Sequence, residues 1–258
     1  MTKISDYTHI DICKRALNDN NVFNNFKNYP GFTKILEHTS EDVGREYIEL
    51  IFNDYKQYAL SLDWVKLKEN DMIGNPNIVN FSEMKNYIEL DDYHYSPSTL
   101  YYIYRGLDII DKLLTNNENN SILEIGGGYG GQCKLLLDMC NMLNVNIEKY
   151  CIIDLMYVSK LQKKYLGNFK YNNVDFFEFE NINDYDPFKE YNRLISIFAL
   201  SEFEIDVQNN YIDNIIKYFK NYYIVCNVHI DNQFFHNDKR VMAYPDVGRY
   251  HKIIINNG

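Results

Sequence analysis

Between Ser121 and Gln132 the chain reads Ser-Ile-Leu-Glu-Ile-Gly-Gly-Gly-Tyr-Gly-Gly-Gln. Five of the six residues from Gly126 to Gly131 are glycine, and the apolar run before them holds one acid, Glu124. An apolar run that ends in glycines is a buried strand entering a turn, and only glycine lets the backbone there come close to a neighbour at positive φ. A strand, a glycine turn and a following helix form the first unit of a parallel α/β sheet, so this stretch limits the fold more than any other.

The residues after it keep that rhythm. Strand one is Ile122–Ile125, with a helix from about Gly130 to Leu143. Strand two is Lys149–Leu155, followed by a helix over Val158–Leu166. Strand three is placed near Tyr171–Val174 and strand four over Arg193–Leu200. A helix over Val207–Phe219 and strand five over Tyr222–Ile230 follow, with His251–Ile255 as a last strand. The alternation predicts an α/β fold: a Rossmann-like, doubly wound, mostly parallel sheet with its ligand at the carboxyl ends of the strands.

Ahead of the sheet the chain reads as helical. Tyr47, Ile48, Ile51, Tyr55, Tyr58 and Leu62 recur at three- and four-residue spacing, the pattern of a core-facing stripe. A breaker-rich stretch, Asp71-Met-Ile-Gly-Asn-Pro-Asn77, follows. Ser96-Pro97 then marks a helix start, serine as N-cap and proline in the first turn. Leu100, Ile103, Tyr104, Leu107, Ile110 and Leu114 give that helix one apolar face. The expected division is a helical accessory or lid region over 1–95 and a ligand-binding domain over 96–258. The aromatic N-terminal helices suit a lid or a homodimer face equally.

Charge narrows the partners. A net charge of -10 repels polyphosphate and argues against a nucleic-acid substrate. No apolar run approaches the roughly 20 residues that cross a bilayer, and Met1–Asp11 has no signal-peptide core. A soluble, cytoplasmic protein without a membrane partner is expected. The wealth of Asn, Tyr, Ile and Lys reflects AT-rich codons, and for a viral source the compartment is the host cytoplasm. Cys13, Cys133, Cys140, Cys151 and Cys226 are odd in number and include no CxxC pair, so buried free thiols are expected.

Gly126, Gly128 and Gly131 also satisfy GxGxxG, a dinucleotide pattern that is weak by itself. Glu124 stands where dinucleotide sites usually carry an apolar residue, the motif lies in mid-chain, and no second nucleotide-binding half follows. An acid just before the glycines suits a nucleoside with a positively charged appendage, and S-adenosylmethionine fits that description. Glu124 would hold the network around its methionine end, and Gly126, Gly128, Tyr129, Gly130 and Gln132 would form the turn against it. Asp154, ending strand two beside Leu155, can accept both ribose hydroxyls. Asp175 and Phe176, after strand three, would meet the adenine, and Ser201 completes the cofactor contacts. Glu202 after strand four and His229 at the end of strand five are candidate general bases. Asp231 and the cation Arg240, with Lys239 and Arg249 nearby, are placed toward the acceptor. Asp91 with Asp92, or Asp231 with Glu202, could offer oxygen ligands, yet no spacing demands a metal and none is expected.

Several pieces together resemble the sugar O-methyltransferase family, a branch of the class I S-adenosylmethionine-dependent enzymes. They are Gly74-Asn-Pro76, Tyr95-Ser-Pro-Ser-Thr-Leu100, Leu123–Gln132, Ile153-Asp-Leu155, Leu161-Gln-Lys-Lys-Tyr-Leu166 and Ser196-Ile-Phe-Ala-Leu-Ser-Glu202. The resemblance spans about residues 70 to 230. It implies methyl transfer from S-adenosylmethionine to a hydroxyl of a nucleotide sugar or glycan. It also implies that the Asn-Pro and Ser-Pro segments fold over the pocket, with Tyr95, Ser96 and Thr99 on the acceptor. Met156 stands where the family tends to have proline, and the C-terminal end of the sheet looks short. The rivals are a nicotinamide (NAD) oxidoreductase, a non-catalytic cofactor-binding module, and methylation of a small molecule or protein on the same scaffold.

Overall fold

The structure, a computed structural model, describes residues 4–114, 119–171, 173–178, 188–227, 230, 232–235, 238–243 and 251–257. The chain packs as two compact units whose segments interleave along the sequence. One comprises Met1–Asp108, Gly128–Asn144 and Lys160–Lys170; the other comprises Ile109–Gly127, Val145–Ser159 and Tyr171–Gly258.

The first unit is helical. Its longer helices are α1 (Ile4–Asn18), α2 (Glu41–Asp54), the start of α3 (Pro97–Lys112), α4 (Gly131–Met142) and the end of α5 (Met156–Leu166), and the segments between α1, α2 and α3 hold shorter helices and an antiparallel pair, Val79–Asn80 with His94–Tyr95. Ser40 caps α2, its Oγ accepting the Val43 N–H, and the acids Glu41 and Asp42 occupy the positive end of the helix dipole. Most of the predicted aromatic stripe is core: Tyr47, Ile48, Ile51, Tyr55 and Leu62 are buried, and Tyr58 is half-buried. Ser96 caps α3 as expected, its Oγ accepting the Thr99 N–H at 3.1 Å. Every residue from Gly131 to Cys140 in α4 is buried, the signature of a helix surrounded by protein on all sides. Burial extends to Lys134, whose ammonium donates to the Lys66 carbonyl at 3.0 Å and pairs with Asp138 at 2.7 Å.

The second unit is built on seven strands: β1 (Asn120–Ile125), β2 (Ile147–Asp154), β3 (Val174–Glu178), β4 (Arg193–Ile197), β5 (Asn221–Cys226), β6 (Lys239–Ala243) and β7 (His251–Asn257). Their order is β3-β2-β1-β4-β5-β7-β6. The first five run parallel, β7 returns antiparallel to β5, and β6 pairs antiparallel with β7. This is the expected Rossmann-like, doubly wound, mostly parallel sheet. On one face the alternating residues Leu123, Ile125, Cys151, Ile153, Leu194, Tyr222 and Ile224 pack with Tyr211 and Ile212 of α7 (Ile205–Asn214) and with Ile215, Ile216 and Phe219. A short helix, α6 (Ala199–Glu202), directly follows β4.

Several expectations about elements change: strand five, expected over Tyr222–Ile230, spans Asn221–Cys226, and the helix expected over Val207–Phe219 spans Ile205–Asn214. Strand three starts where it was expected to end, because Asn173 serves as a connector: its carbonyl accepts the Tyr150 N–H and its amide donates to the Ile147 carbonyl. Val-Asp-Phe-Phe-Glu is the segment with strand propensity. Strand four stops at Ile197, because Phe198 turns to a φ of 66° and starts α6. The end of the sheet is not short. Lys239–Ala243, to which no element was assigned, is a strand in register with His251–Ile255.

All five cysteines are buried thiols outside any disulfide. No helix among the described residues is long and apolar enough to cross a membrane.

Candidate functional site

In the second unit, β1 lies between β2 and β4, so the chain passes to β2 on one side and later to β4 on the other. The carboxyl ends of these strands are the switch point at which doubly wound sheets bind ligands. The three ends are tied together. The Gly126 N–H donates to the Ile153 carbonyl at 2.9 Å, and Ser196 Oγ donates to the Ile125 carbonyl at 3.2 Å. Asp154 ends β2, with its Oδ1 accepting the N–H of Leu155, which is 41% exposed. A carboxylate on that edge can receive a pair of vicinal hydroxyls.

Glu124 sits two residues before the first glycine and is only 1% exposed. The Tyr150 hydroxyl donates to its Oε2 at 2.9 Å. Burial pushes its pKa up to about 7; the Tyr150 hydrogen bond opposes that shift and the Asp154 charge adds to it. The carboxyl therefore changes protonation near neutrality, and a cation close to it would hold it ionised.

Beyond β4 lies a polar group that the sequence only half disclosed. Ser201 Oγ donates to Asn227 Oδ1 at 2.8 Å and receives the Asn227 N–H at 3.2 Å. Asn227 Nδ2 donates to Glu202 Oε1 at 2.8 Å. Asn227, at the carboxyl end of β5, thus aims an exposed Glu202 carboxylate through a buried Ser201. No motif singled out Asn227. The turn that delivers Ser201 is strained at Phe198, whose carbonyl accepts the Ser201 N–H at 2.9 Å. Non-glycine residues with such dihedrals collect at functional sites.

The structure moves other residues away from this edge. Asp175 does not follow strand three. It is the second residue of β3, in register with Cys151, with Tyr191 donating to it at 3.3 Å. Phe176 is level with Ile152, and the acid level with Asp154 is Glu178. The adenine role expected of Asp175 assumed the earlier strand boundary; at the observed register Asp175 stands three residues before the end of β3. His229, Asp231, Arg249 and the side chains of Lys239 and Arg240 lie outside the described residues.

The glycines answer first to the protein's own packing. Gly126 has a φ of +75°, and a Cβ built on it would stand 2.1 Å from Ala199 Cβ. In the first unit, a Cβ on Gly128 would meet Leu36 at 3.0 Å, one on Gly130 would meet Leu166 at 3.1 Å, and one on Gly131 would strike the Tyr129 ring at 2.6 Å. The case for a ligand therefore rests on Glu124, Asp154 and the group around Glu202 more than on the glycine count.

Tyr129 offers a ligand only its backbone. Its ring is fully buried, 5.5 Å from Phe26 and 5.1 Å from Tyr165 between centroids, with the Lys27 ammonium 4.3 Å from its centre. Gln132 is buried as well, its amide donating to the Tyr102 carbonyl at 3.3 Å. Tyr95, Ser96 and Thr99, expected on the acceptor, are also buried in this unit. Tyr95 donates to the Trp64 carbonyl at 3.1 Å, and Ser96 and Thr99 donate to Asp71 at 2.7 Å. Their polar groups are occupied by protein partners.

Among the described residues no cluster of three His, Cys, Asp or Glu side chains is arranged to hold a metal. Asp92 is engaged by Lys68 and by His94 Nδ1 at 2.5 Å.

No protein-family model matches the chain, and no curated protein matches it. Solved structures align with part of it. M. capricolum TrmK in complex with S-adenosyl-homocysteine is 16% identical, over 60% of this chain and 68% of that one, with a TM-score of 0.44. The methyltransferase domain of bacterial CtHen1 is 11% identical, over 60% and 96%, with a TM-score of 0.45. Precorrin-6y C5,15-methyltransferase from Geobacter metallireducens is 12% identical, over 59% and 87%, with a TM-score of 0.44. These likenesses are partial, and the functional assignment stands on the residues of this chain.

Proposed function

We propose that this protein is an S-adenosylmethionine-dependent methyltransferase and that its acceptor is a sugar hydroxyl. The observation that carries the cofactor is the pair of carboxylates at the switch point: Glu124, buried in β1 with Tyr150, and Asp154, at the end of the adjacent β2. In this reading Asp154 accepts the ribose hydroxyls. Glu124, poised near neutrality, favours a cofactor with a positive charge over a nicotinamide dinucleotide, whose pyrophosphate is anionic.

When bound, S-adenosylmethionine supplies an electrophilic methyl group. The chain's own contribution is orientation and proton acceptance. Glu202, steadied by Asn227, is the described residue best placed to accept the acceptor hydroxyl's proton. The sugar specificity draws its support from the ordered motifs around Gly74–Pro76, Tyr95–Leu100 and Ser196–Glu202 alone.

A panel of nucleotide sugars and glycans incubated with methyl-labelled S-adenosylmethionine tests this reading. Label in a sugar hydroxyl, lost in Glu202→Gln and reduced at least tenfold in Asn227→Ala with cofactor affinity unchanged, is expected. Label in protein or in a non-sugar small molecule, with none in any sugar, removes the sugar assignment.

A further inference from the structure

Ser201 has more acceptors than hydrogens. Its single hydroxyl hydrogen is within reach of two oxygens, Asn227 Oδ1 at 2.8 Å and the Phe198 carbonyl at 2.7 Å, and it can go to only one of them at a time. The same Oγ accepts the Asn227 N–H at 3.2 Å. All of these groups belong to the second unit. The Phe198 N–H donates to the Val225 carbonyl of β5 at 2.8 Å, which ties the turn before α6 to the strand that carries Asn227. The Phe198 carbonyl accepts the Ser201 N–H at 2.9 Å, and a carbonyl oxygen can take a second donor.

The two positions of that hydrogen match two states of Glu202. With the carboxylate ionised, Asn227 Nδ2 donates to Glu202 Oε1 at 2.8 Å, and Asn227 Oδ1 takes the Ser201 hydrogen. A proton on Oε1 would set donor against donor. An asparagine amide presents its oxygen and its NH2 on nearly the same outline, so a half-turn exchanges them with little movement of heavy atoms. The turned amide receives the Glu202 O–H at Oδ1 and gives an Nδ2 hydrogen to Ser201 Oγ. The Ser201 hydrogen then passes to the Phe198 carbonyl. Without that second acceptor, the turned amide and the Ser201 hydroxyl would point hydrogens at each other.

We propose that Ser201 is a positioning residue for Glu202: its hydroxyl switches between Asn227 and the Phe198 carbonyl, so that Asn227 anchors Glu202 both before and after it takes the acceptor's proton. The inference rests on the reading of Glu202 as the proton acceptor. The step balances: the acceptor's O–H bond breaks, a Glu202 O–H bond forms, and within the group only hydrogen bonds change. A fixed donor would favour the carboxylate alone and weaken the base, whereas a reversible one serves both forms. α6 packs against β4 and β5, whose titratable residues are Arg193, Tyr222, Tyr223 and Cys226, all buried; Glu204 and Asp206 follow it along the chain.

Carbon-13 NMR of the Glu202 carboxyl tests this with neither cofactor nor acceptor, the resonance being assigned by its loss in Glu202→Gln. Ser201→Ala leaves the turned amide with an N–H lacking its acceptor, whereas the unturned amide only loses a donor to an oxygen, the lesser loss. The carboxyl of Ser201→Ala should therefore titrate about 0.5–1 pH unit below wild type, and Ser201→Thr, which keeps the hydroxyl, should match wild type. An unmoved titration in Ser201→Ala, or an equal shift in Ser201→Thr, overturns the proposal. Should Ser201→Ala not fold, proton NMR of the wild type decides. As Glu202 is protonated, the Asn227 amide protons should lose their cross-peak to the Glu202 γ-protons and gain one to the Ser201 β-protons. Amide protons that keep the Glu202 contact throughout overturn the proposal, since a proton taken on Oε2 would leave them in place. The base reading is judged separately: transfer of labelled methyl that survives in Glu202→Gln removes that reading, and this inference with it, whatever the titration gives.

Discussion

Replacing Gly126 by alanine puts the account of the glycine turn to a quantitative test. The substitution does two separable things. At a φ of +75° an alanine pays about 1–2 kcal/mol for the left-handed backbone. Its Cβ would also stand 2.1 Å from Ala199 Cβ, a separation that side chains do not adopt, so β1 and α6 must part. Overpacking of this kind costs about 1–3 kcal/mol. Together the loss is about 2–5 kcal/mol, which at a urea slope of about 2–3 kcal/mol/M moves the unfolding midpoint down by roughly 1–2 M. Urea unfolding followed by far-ultraviolet circular dichroism reads this directly. Adding Ala199→Gly separates the parts: measured against the Ala199→Gly protein, Gly126→Ala should cost only the backbone share. The coupling between the two positions should then be about 1–3 kcal/mol. A Gly126→Ala protein within about 0.5 kcal/mol of wild type would refute the reasoning. Zero coupling would refute the contact and leave the backbone argument standing.

Two further outcomes follow from the acids Glu124 and Asp71. Glu124 has a folded pKa of about 7 against an unfolded value near 4.3, so between these pH values the native state holds the extra proton. Stability therefore falls as pH rises through that window, by about 1.4 kcal/mol per unit at most, and levels off above about pH 7. Glu124→Gln should gain stability over wild type across the window, and identical pH–stability curves would show that burial does not shift this group. Asp71→Ala removes the acceptor of the Ser96 N–H, the Ser96 hydroxyl and the Thr99 hydroxyl, all at 2.7 Å. Three donors left without it should cost about 2–4 kcal/mol in urea unfolding, and a change below about 0.5 kcal/mol would mean that water replaces the carboxylate freely.

How far the sequence disclosed this molecule depended on how local each signal was. The Ser96-Pro97 cap, the apolar face of α3 and the glycine turn are set by residues a few positions apart, and they were legible. So was the parallel core of the sheet, because β1 and β4 are short apolar runs followed by helical periods. Asp175 was misplaced because register depends on which residues pair across strands, and a shift of a few positions carries an acid from one end of the sheet to the middle. β6 was not foreseen as a strand because its pairing comes from β7 and not from its own sequence. Asn227 gave no signal, since it acquires its role from partners 25 or more residues away. Tyr129 was read as part of the ligand turn, yet its ring belongs to an aromatic cluster assembled from Phe26, Tyr102 and Tyr165, residues that no local pattern links.

The central claim is that the switch point holds S-adenosylmethionine, and isothermal calorimetry with S-adenosylhomocysteine and NAD on the wild-type and Asp154→Ala proteins tests it most directly. The account predicts that S-adenosylhomocysteine binds, that NAD does not, and that Asp154→Ala weakens the first by about 1–3 kcal/mol, roughly five- to a hundredfold. Binding of NAD without S-adenosylhomocysteine, or S-adenosylhomocysteine affinity unchanged by Asp154→Ala, would contradict it.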